Sequence, residues 1–300
     1  MTTLLIGTDD GLFELDPAGG AAGQAVEVLG GAVTPNGGLD ASGWAIVDGE
    51  RVVRSSGGTW EEVAADDAAS LTCIVPYGDG AVVGTRGAHL RVWRGNGLEP
   101  LPAFDEVAAR ETWNTPWGAS PDVRSLAVTG SGALLANVHV GGIPRSTDGG
   151  MSWQPTIDVE ADVHQVVAHP TRPDTALAAA AVGLARSDDG GATWKIVADG
   201  LHATYSRAVA VAGDSVLVTA STGPFTKEGA VYRRPLDGDA PFERVSDWLP
   251  HNIDSGCITA DGELAAFGGP DGVVHVSDDA GRSWRVLVDG LPPVRGVALR

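Results

Sequence analysis

The chain has 300 residues, of which 43% are hydrophobic and 20% are charged, so it can bury a large core and is not of the disordered class. Its 42 glycines and 18 prolines follow no three-residue period, which excludes collagen and indicates many turns. The 39 acidic and 20 basic side chains give a formal net charge of −19, which favours solubility. We therefore expect neither a nucleic acid nor an anionic membrane as a partner.

The first residues are predicted to form a β-strand. Residues 1–9 contain a short apolar run without a basic segment, which favours a strand over a signal peptide. No stretch approaches the roughly 18 apolar residues of a membrane helix, so we expect a cytoplasmic location. Cys73 and Cys257 each lie in an apolar run, which predicts buried core residues and neither a disulfide nor a zinc site made of cysteines.

Hairpins recur along the whole chain, and each follows two further apolar runs. They are predicted near residues 11–28, 51–63, 89–101, 142–156, 183–197, 230–245 and 272–287. The fifth unit shows four short strands most clearly, near residues 164–168, 175–180, 183–187 and 193–197. Four short strands in every 40–45 residues are typical of a β-propeller blade.

The first unit begins one strand short, and the end of the chain supplies the missing strand. Residues 4–8 correspond to a second strand, and residues 294–299 form an unassigned apolar run. We predict an all-β, seven-bladed propeller of four-stranded antiparallel blades, closed by the C-terminal strand, since closure removes exposed sheet edges. Residues 1–300 would form one domain, with residues 1–30 and 292–300 in blade 1 and residues 31–291 in blades 2 to 7.

Three of the predicted hairpins share the motif S-x-D-x-G-x-[ST]-W. Its copies span residues 146–153, 187–194 and 277–284, so that the first two start 41 residues apart and the last two 90 residues apart. A shortened copy without the Asp lies at residues 54–60. In such a turn Asp accepts backbone hydrogen bonds, Gly adopts angles closed to other residues, and Trp packs as a large apolar group.

The motif resembles the Asp box of BNR-repeat proteins, which include sialidases, sortilin-type receptors and plant photosystem assembly factors. The resemblance implies a propeller whose boxes are structural and lie away from the active site. Sialidase-like enzymes also have an Arg triad, a Tyr nucleophile with a Glu partner, and an Arg-Ile-Pro motif. Here residues 142–144 read Gly-Ile-Pro, while Tyr205 with Arg124, Arg207 and Arg295 could imitate part of that site, with Glu228 as the nearby Glu.

Blade topology divides the loops between two faces, which we call top and bottom. The motif hairpins join the third and fourth strands and define the bottom, so the loops between blades and those joining the second and third strands lie on top. Five of the seven histidines fall on or near the top, and four of them come from adjacent blades: His139, His164, His202 and His251. Because imidazole is a ligand of zinc, iron, copper and nickel, these four are predicted to form a metal site on the axis.

Other polar and aromatic residues accompany these histidines. The predicted catalytic residues are His164, His251, Tyr205, Asp162 and Asp254, with His164 or His251 as a base and Asp162 or Asp254 orienting a ring. Two long top loops are expected to be functional. The predicted substrate-binding residues are Arg124, Arg207, Trp113, Trp117, Asn114 and Lys227.

These residues predict a small-molecule enzyme or binding protein with a His-rich pocket at the centre of the top face. The expected reaction is hydrolysis or elimination on a polar, anionic or sugar-like substrate, with a divalent transition metal as a possible cofactor. We expect a monomer or a weak homo-oligomer. Two alternatives stay open: a non-catalytic scaffold for protein binding or assembly, and a sialidase-like glycosidase.

Overall fold

A computed structural model describes residues 2–19 and 25–300, and these residues form the predicted seven-bladed propeller. Each blade is an antiparallel sheet of four strands. The strands of blades 1 and 2 are β28 (Val294–Leu299), β1 (Leu4–Thr8), β2 (Gly11–Leu15) and β3 (Val26–Gly30), then β4 (Leu39–Asp40), β5 (Trp44–Val47), β6 (Arg51–Ser56) and β7 (Thr59–Ala65). Those of blades 3 and 4 are β8 (Leu71–Tyr77), β9 (Gly80–Thr85), β10 (Leu90–Trp93) and β11 (Leu98–Pro100), then β12 (Val123–Val128), β13 (Leu134–Val138), β14 (Pro144–Ser146) and β15 (Gln154–Pro155).

The remaining blades have the same order, with the innermost strand first in the chain. Their strands are β16 (Val163–Ala168), β17 (Ala176–Ala180), β18 (Gly183–Ser187) and β19 (Lys195–Val197); β20 (Val209–Ala212), β21 (Ser215–Ala220), β22 (Ala230–Pro235) and β23 (Glu243–Arg244); and β24 (Ile258–Asp261), β25 (Leu264–Gly268), β26 (Val274–Ser277) and β27 (Arg285–Val288). Three short 3₁₀ helices lie in the loops before blades 4 and 5: Pro102–Glu106, Arg110–Thr112 and Val159–Ala161. Within the described residues no helix is both long and apolar enough to cross a membrane.

The C-terminal strand closes the ring, as predicted. β28 pairs antiparallel with β1 and is the innermost strand of blade 1, with Leu4 opposite Leu299 and Ile6 opposite Val297. Its apolar side chains join the core shared by blades 7 and 1. The two ends of the chain therefore hold one blade together.

Apolar side chains pack between neighbouring blades and form the core. The second strands of most blades, such as β13 and β17, are buried along their whole length because blades cover both of their faces. Cys73 and Cys257 are buried free thiols in this core, as predicted. Burial raises the pKa of the Cys73 thiol to about 12, which suits an inert core residue.

The three motif hairpins have the same hydrogen bonds. In blade 5, Asp189 accepts bonds from the backbone N–H of Thr193 at 2.9 Å, from the Thr193 hydroxyl at 2.6 Å and from the Ser187 hydroxyl at 2.8 Å. Gly191 N–H donates to Ser187 Oγ at 2.8 Å, which fixes the other side of the turn. The corresponding bonds of Asp148 and Asp279 recur in blades 4 and 7. The Ser and Asp side chains of each hairpin are thus satisfied within the turn.

Two glycines, Gly37 and Gly256, contact each other through their backbones beside the axis of the propeller. A Cβ on Gly256 would lie 3.2 Å from the backbone nitrogen of Gly37, and both residues have a positive φ, so glycine is required at the contact. Ile74 N–H donates to Gly37 O, and Val297 N–H donates to Gly256 O. These bonds tie blades 1, 2, 3 and 7 together at the top of the central channel, whose volume is about 360 Å³.

Candidate functional site

Four innermost strands have a bulge at their upper end. In each, one residue lies between two paired positions without a partner of its own: Thr72 in β8, Arg124 in β12, His164 in β16 and Arg295 in β28. A bulge bends the strand and changes the direction of its side chains. The bulged residues of blades 3, 4, 5 and 1 therefore occupy equivalent places around the top of the axis.

Sequence reasoning placed some of these residues at strand starts but missed the bulges. A signal is present in the sequence, because an apolar residue, the bulged residue and a small or amide residue follow one another in 123–125, 163–165 and 294–296. The pattern marks Arg124, His164 and Arg295 as a set.

Two of the four predicted metal ligands come together with a carboxylate. His139 Nε2 lies 3.7 Å from Asp162 Oδ1, and His164 Nε2 lies 3.6 Å from Asp162 Oδ2. One ligand atom from each of the three residues lies within 4.8 Å of the other two. His139 and His164 are buried, and Asp162 is partly buried. We call His139, Asp162 and His164 the top cluster.

Local backbone geometry presents the cluster. Asp162 follows a 3₁₀ turn and has φ 46° and ψ 71°, in the left-handed region, while Val140, next to His139, has φ 50°. Such angles are uncommon for residues other than glycine and are concentrated at functional sites. Asp162 N–H donates to Val159 O at 3.1 Å, which holds the turn in place.

The proton positions of His164 follow from its neighbours. Its Nδ1 lies 2.7 Å from Ser206 O, and because a carbonyl only accepts, Nδ1 must donate. In the neutral ring Nε2 then has a free lone pair, which faces a carboxylate that is itself an acceptor. Nε2 of His164 and Oδ1 of Asp162 are buried and have no hydrogen-bond partner. Either a proton on Nε2 or a cation bound between the ring and the carboxylate would satisfy these groups.

The electrostatics of the cluster favour a neutral His139 and an ionised Asp162. Burial, together with the nearby Arg124 guanidinium, lowers the pKa of His139 to about 4. Burial opposes ionisation of Asp162, but the neighbouring His164, His139 and Arg124 side chains outweigh it and lower the pKa of this carboxyl. Burial and repulsion from Arg207 lower the pKa of Arg124.

Aromatic rings surround the cluster on two sides. The Trp117 ring centroid lies 5.2 Å from that of His139, and this tryptophan is 65% exposed. The Tyr205 ring lies 4.7 Å from the His164 ring. Arg207 forms an ion pair with Asp254 and lies over the Tyr205 ring, 5.7 Å from its centroid. Tyr205 thus lies directly beside the cluster, and Arg207 and Asp254 lie next to Tyr205 as an ion pair.

The other two predicted metal ligands have partners elsewhere. His202 Nδ1 lies 2.8 Å from the Tyr232 hydroxyl, and its ring is stacked on that tyrosine of an outer strand. His251 Nε2 lies 3.0 Å from Asp271 Oδ2. The four histidines therefore do not converge: long loops before blades 6 and 7 let His202 and His251 pack away from the axis.

The long-loop residues also separate into different environments. Trp113 is 6% exposed and packs on Phe104, with ring centroids 5.7 Å apart, so it anchors the loop in the core and does not line the pocket. Asn114 and Lys227 are exposed, and Asn114 Nδ2 donates to Thr112 O at 3.0 Å. Only Trp117 of these reaches the cluster.

Comparisons with known proteins find similarity in structure alone. No protein-family model and no curated protein sequence matches the chain. YCF48 bound to D1 peptide is 14% identical with a TM-score of 0.58, over 89% of this chain and 93% of that one. An ancestral GH74 enzyme is 15% identical with a TM-score of 0.57, over 89% of this chain and 39% of that one. The GH74 xyloglucanase from Xanthomonas campestris is 17% identical with a TM-score of 0.53, over 85% of this chain and 46% of that one.

This chain spans less than half the length of either GH74 enzyme. At such identities the likeness concerns the fold and leaves the chemistry open. The chain is similar to β-propellers of different function.

Proposed function

We propose that the top cluster binds a divalent transition metal and that the protein is a metal-dependent enzyme acting on a small polar or anionic molecule. The observation that carries this proposal is that His164 Nε2 and Asp162 Oδ1 are both buried without a hydrogen-bond partner, in a cluster where the imidazole and the carboxylate approach to 3.6 Å. A metal ion would satisfy both.

The dimensions of the cluster suit such an ion. Metal–ligand bonds of about 2.1 Å put neighbouring ligand atoms ~3.0–3.6 Å apart. The two separations to Asp162, 3.7 and 3.6 Å, need to change little, and the two imidazoles must approach each other slightly. The bond from His164 Nδ1 to Ser206 O is the outer contact that usually orients a ligating histidine.

Two histidines and one carboxylate leave coordination positions open, a donor set used by iron(II) and zinc enzymes. The bound metal would supply Lewis-acid polarisation or an activated water, which suits a hydrolase or a lyase. Tyr205 borders His164 and could deliver a proton to a leaving group. Trp117 provides a flat apolar wall over His139.

A peptide-binding scaffold is the second candidate. It is favoured by the likeness to YCF48, whose structure contains a D1 peptide and whose whole length resembles this chain. The likeness to GH74 enzymes in turn supports a glycosidase. A scaffold needs no metal, so the metal content separates the first candidate from the second.

We also propose that the three motif hairpins are Asp boxes.

The test is metal analysis of purified protein after incubation with zinc or iron(II) and gel filtration. We expect one equivalent of metal in the wild type and in His202→Ala, a control that removes a top-face histidine outside the cluster. His139→Ala and Asp162→Asn should retain less than about a tenth of an equivalent. Metal-free wild-type protein, or metal retained by both cluster variants, would contradict the proposal.

A further inference from the structure

The arginines at the top of the axis differ in their partners. Arg295 donates from Nε and Nη2 to the two oxygens of Asp9, both at 2.6 Å, and Arg207 pairs with Asp254. Arg124 has no such ion pair: among residues 2–19 and 25–300, no carboxylate oxygen lies within 4.0 Å of its guanidinium, and the same holds for Arg86 in the same groove. Its charge is therefore available to a ligand.

Arg124 stands between the top cluster and a groove. It lines a cavity of about 730 Å³ that runs from blade 1 to blade 4 and that Arg86, Arg295 and Asp122 also line. It also lies close to the top cluster, because Val123 pairs with Val138 and His139 N–H donates to Asp122 O at 2.9 Å, and its charge lowers the pKa of both His139 and Asp162. A partly buried guanidinium without a counter-ion is costly, and a bound anion would offset that cost.

We propose that Arg124 binds the carboxylate of the substrate and that a second oxygen, on the neighbouring carbon, reaches the top cluster. The substrate class is then a small carboxylate with an α-hydroxy or α-oxo group. This inference rests on the proposed metal-dependent function, because the second oxygen is the one that the metal would hold.

Charge favours a carboxylate over a phosphate. The planar guanidinium matches both carboxylate oxygens. Asp122 interacts with both Arg86 and Arg124, and these two guanidinium groups together carry one positive charge more than this carboxylate. A phosphate dianion would keep an excess negative charge close to Asp122 and Asp162. Because the chain has a net charge of −19, an anion is repelled unless a nearby positive side chain such as Arg124 offsets the repulsion.

The test uses glycolate and glycolamide, which have the same shape and differ in charge. Isothermal titration of metal-loaded wild-type protein should show glycolate binding at least about tenfold more tightly than glycolamide. Arg124→Gln should lose this preference while keeping one equivalent of metal, and Arg124→Lys should keep part of it. Arg145→Gln is the control, since Arg145 donates to Gly190 O in a motif hairpin.

A preference for glycolate that survives in Arg124→Gln would overturn the inference, as would the lack of any preference in the wild type. Thermal melting of each variant verifies folding. If the protein binds no metal, the proposed function fails, and the same titrations on metal-free protein decide on Arg124 separately. If metal-free protein prefers glycolate and Arg124→Gln abolishes that preference, Arg124 is a carboxylate site without a metal. If metal-free protein shows no such preference, the carboxylate site at Arg124 is also contradicted.

Discussion

The two faces of the propeller differ in how completely their polar groups are satisfied. On the bottom, each motif Asp accepts bonds from a serine hydroxyl and from the N–H and hydroxyl of the residue four positions later. On top, His164 Nε2 and Asp162 Oδ1 are buried without a partner. Both faces are rich in Asp, yet among residues 2–19 and 25–300 only Asp162, on top, has a carboxylate oxygen that is buried without a hydrogen-bond partner.

This difference separates structure from function. Both oxygens of each motif carboxylate already accept hydrogen bonds, so the bottom hairpins stabilise the blades without a ligand. An unsatisfied buried group is a cost that folding alone does not explain, and such groups in native proteins point to a site for an ion or a ligand. The top face also has bulged innermost strands, with Asp162 and Val140 in the left-handed region; of the three motif hairpins only that of blade 7 has a left-handed residue other than glycine, Ala280.

The largest expected effect is a loss of stability when the closed ring of blades is opened, because both faces depend on that ring. Deleting residues 293–300 removes β28, whose buried residues Val294, Val297 and Leu299 pack in the shared core. Loss of this burial costs about 5–10 kcal/mol, comparable to the whole stability of a domain. We expect no cooperative thermal unfolding transition in the truncated protein. An unchanged melting temperature would contradict closure by β28.

A smaller effect should distinguish a top-face loop residue that stabilises the fold, Trp113, from one that does not, Trp117. Trp113→Ala empties a buried site next to Phe104 and should lower the free energy of unfolding by about 3–5 kcal/mol, measured by urea denaturation. Trp117→Ala removes an exposed ring in the same loop and should change it by less than about 0.5 kcal/mol. Equal losses in the two variants would mean that the loop is structural throughout.

The fold was predictable because each blade repeats its pattern, whereas the site depends on details that occur once. The motif at residues 146–153, 187–194 and 277–284 sets the blade period, and strand order then places His139 and His164 on top. The alternation of apolar and polar residues along a strand does not show that Arg124 lies in a bulge. It also does not show that His202 contacts Tyr232 or that Trp113 packs in the core, because the contacts of loop residues depend on tertiary packing.

The smallest effect tests the bottom face and depends on pH. The slight burial of Asp279 opposes ionisation, but hydrogen bonds from Ser283, Ser277 and Arg282 outweigh it and lower the pKa of this carboxyl to about 2. Asp279→Asn should lower the free energy of unfolding at pH 7 by about 1–2 kcal/mol, a modest loss because the carboxylate is exposed. Asp278→Asn alters the adjacent exposed residue and serves as the matched control.

The sign of the pH dependence follows from the lowered pKa. An unfolded Asp has a pKa of about 3.9, so the stabilisation by ionised Asp279 is complete above about pH 5 and is lost as the pH falls towards 2. Urea midpoints of the wild type and Asp279→Asn should therefore converge between pH 5 and pH 2, while those of Asp278→Asn follow the wild type throughout. A constant gap would mean that the Asp279 charge does not stabilise the hairpin. A change in metal content in Asp279→Asn would mean that the two faces are not independent.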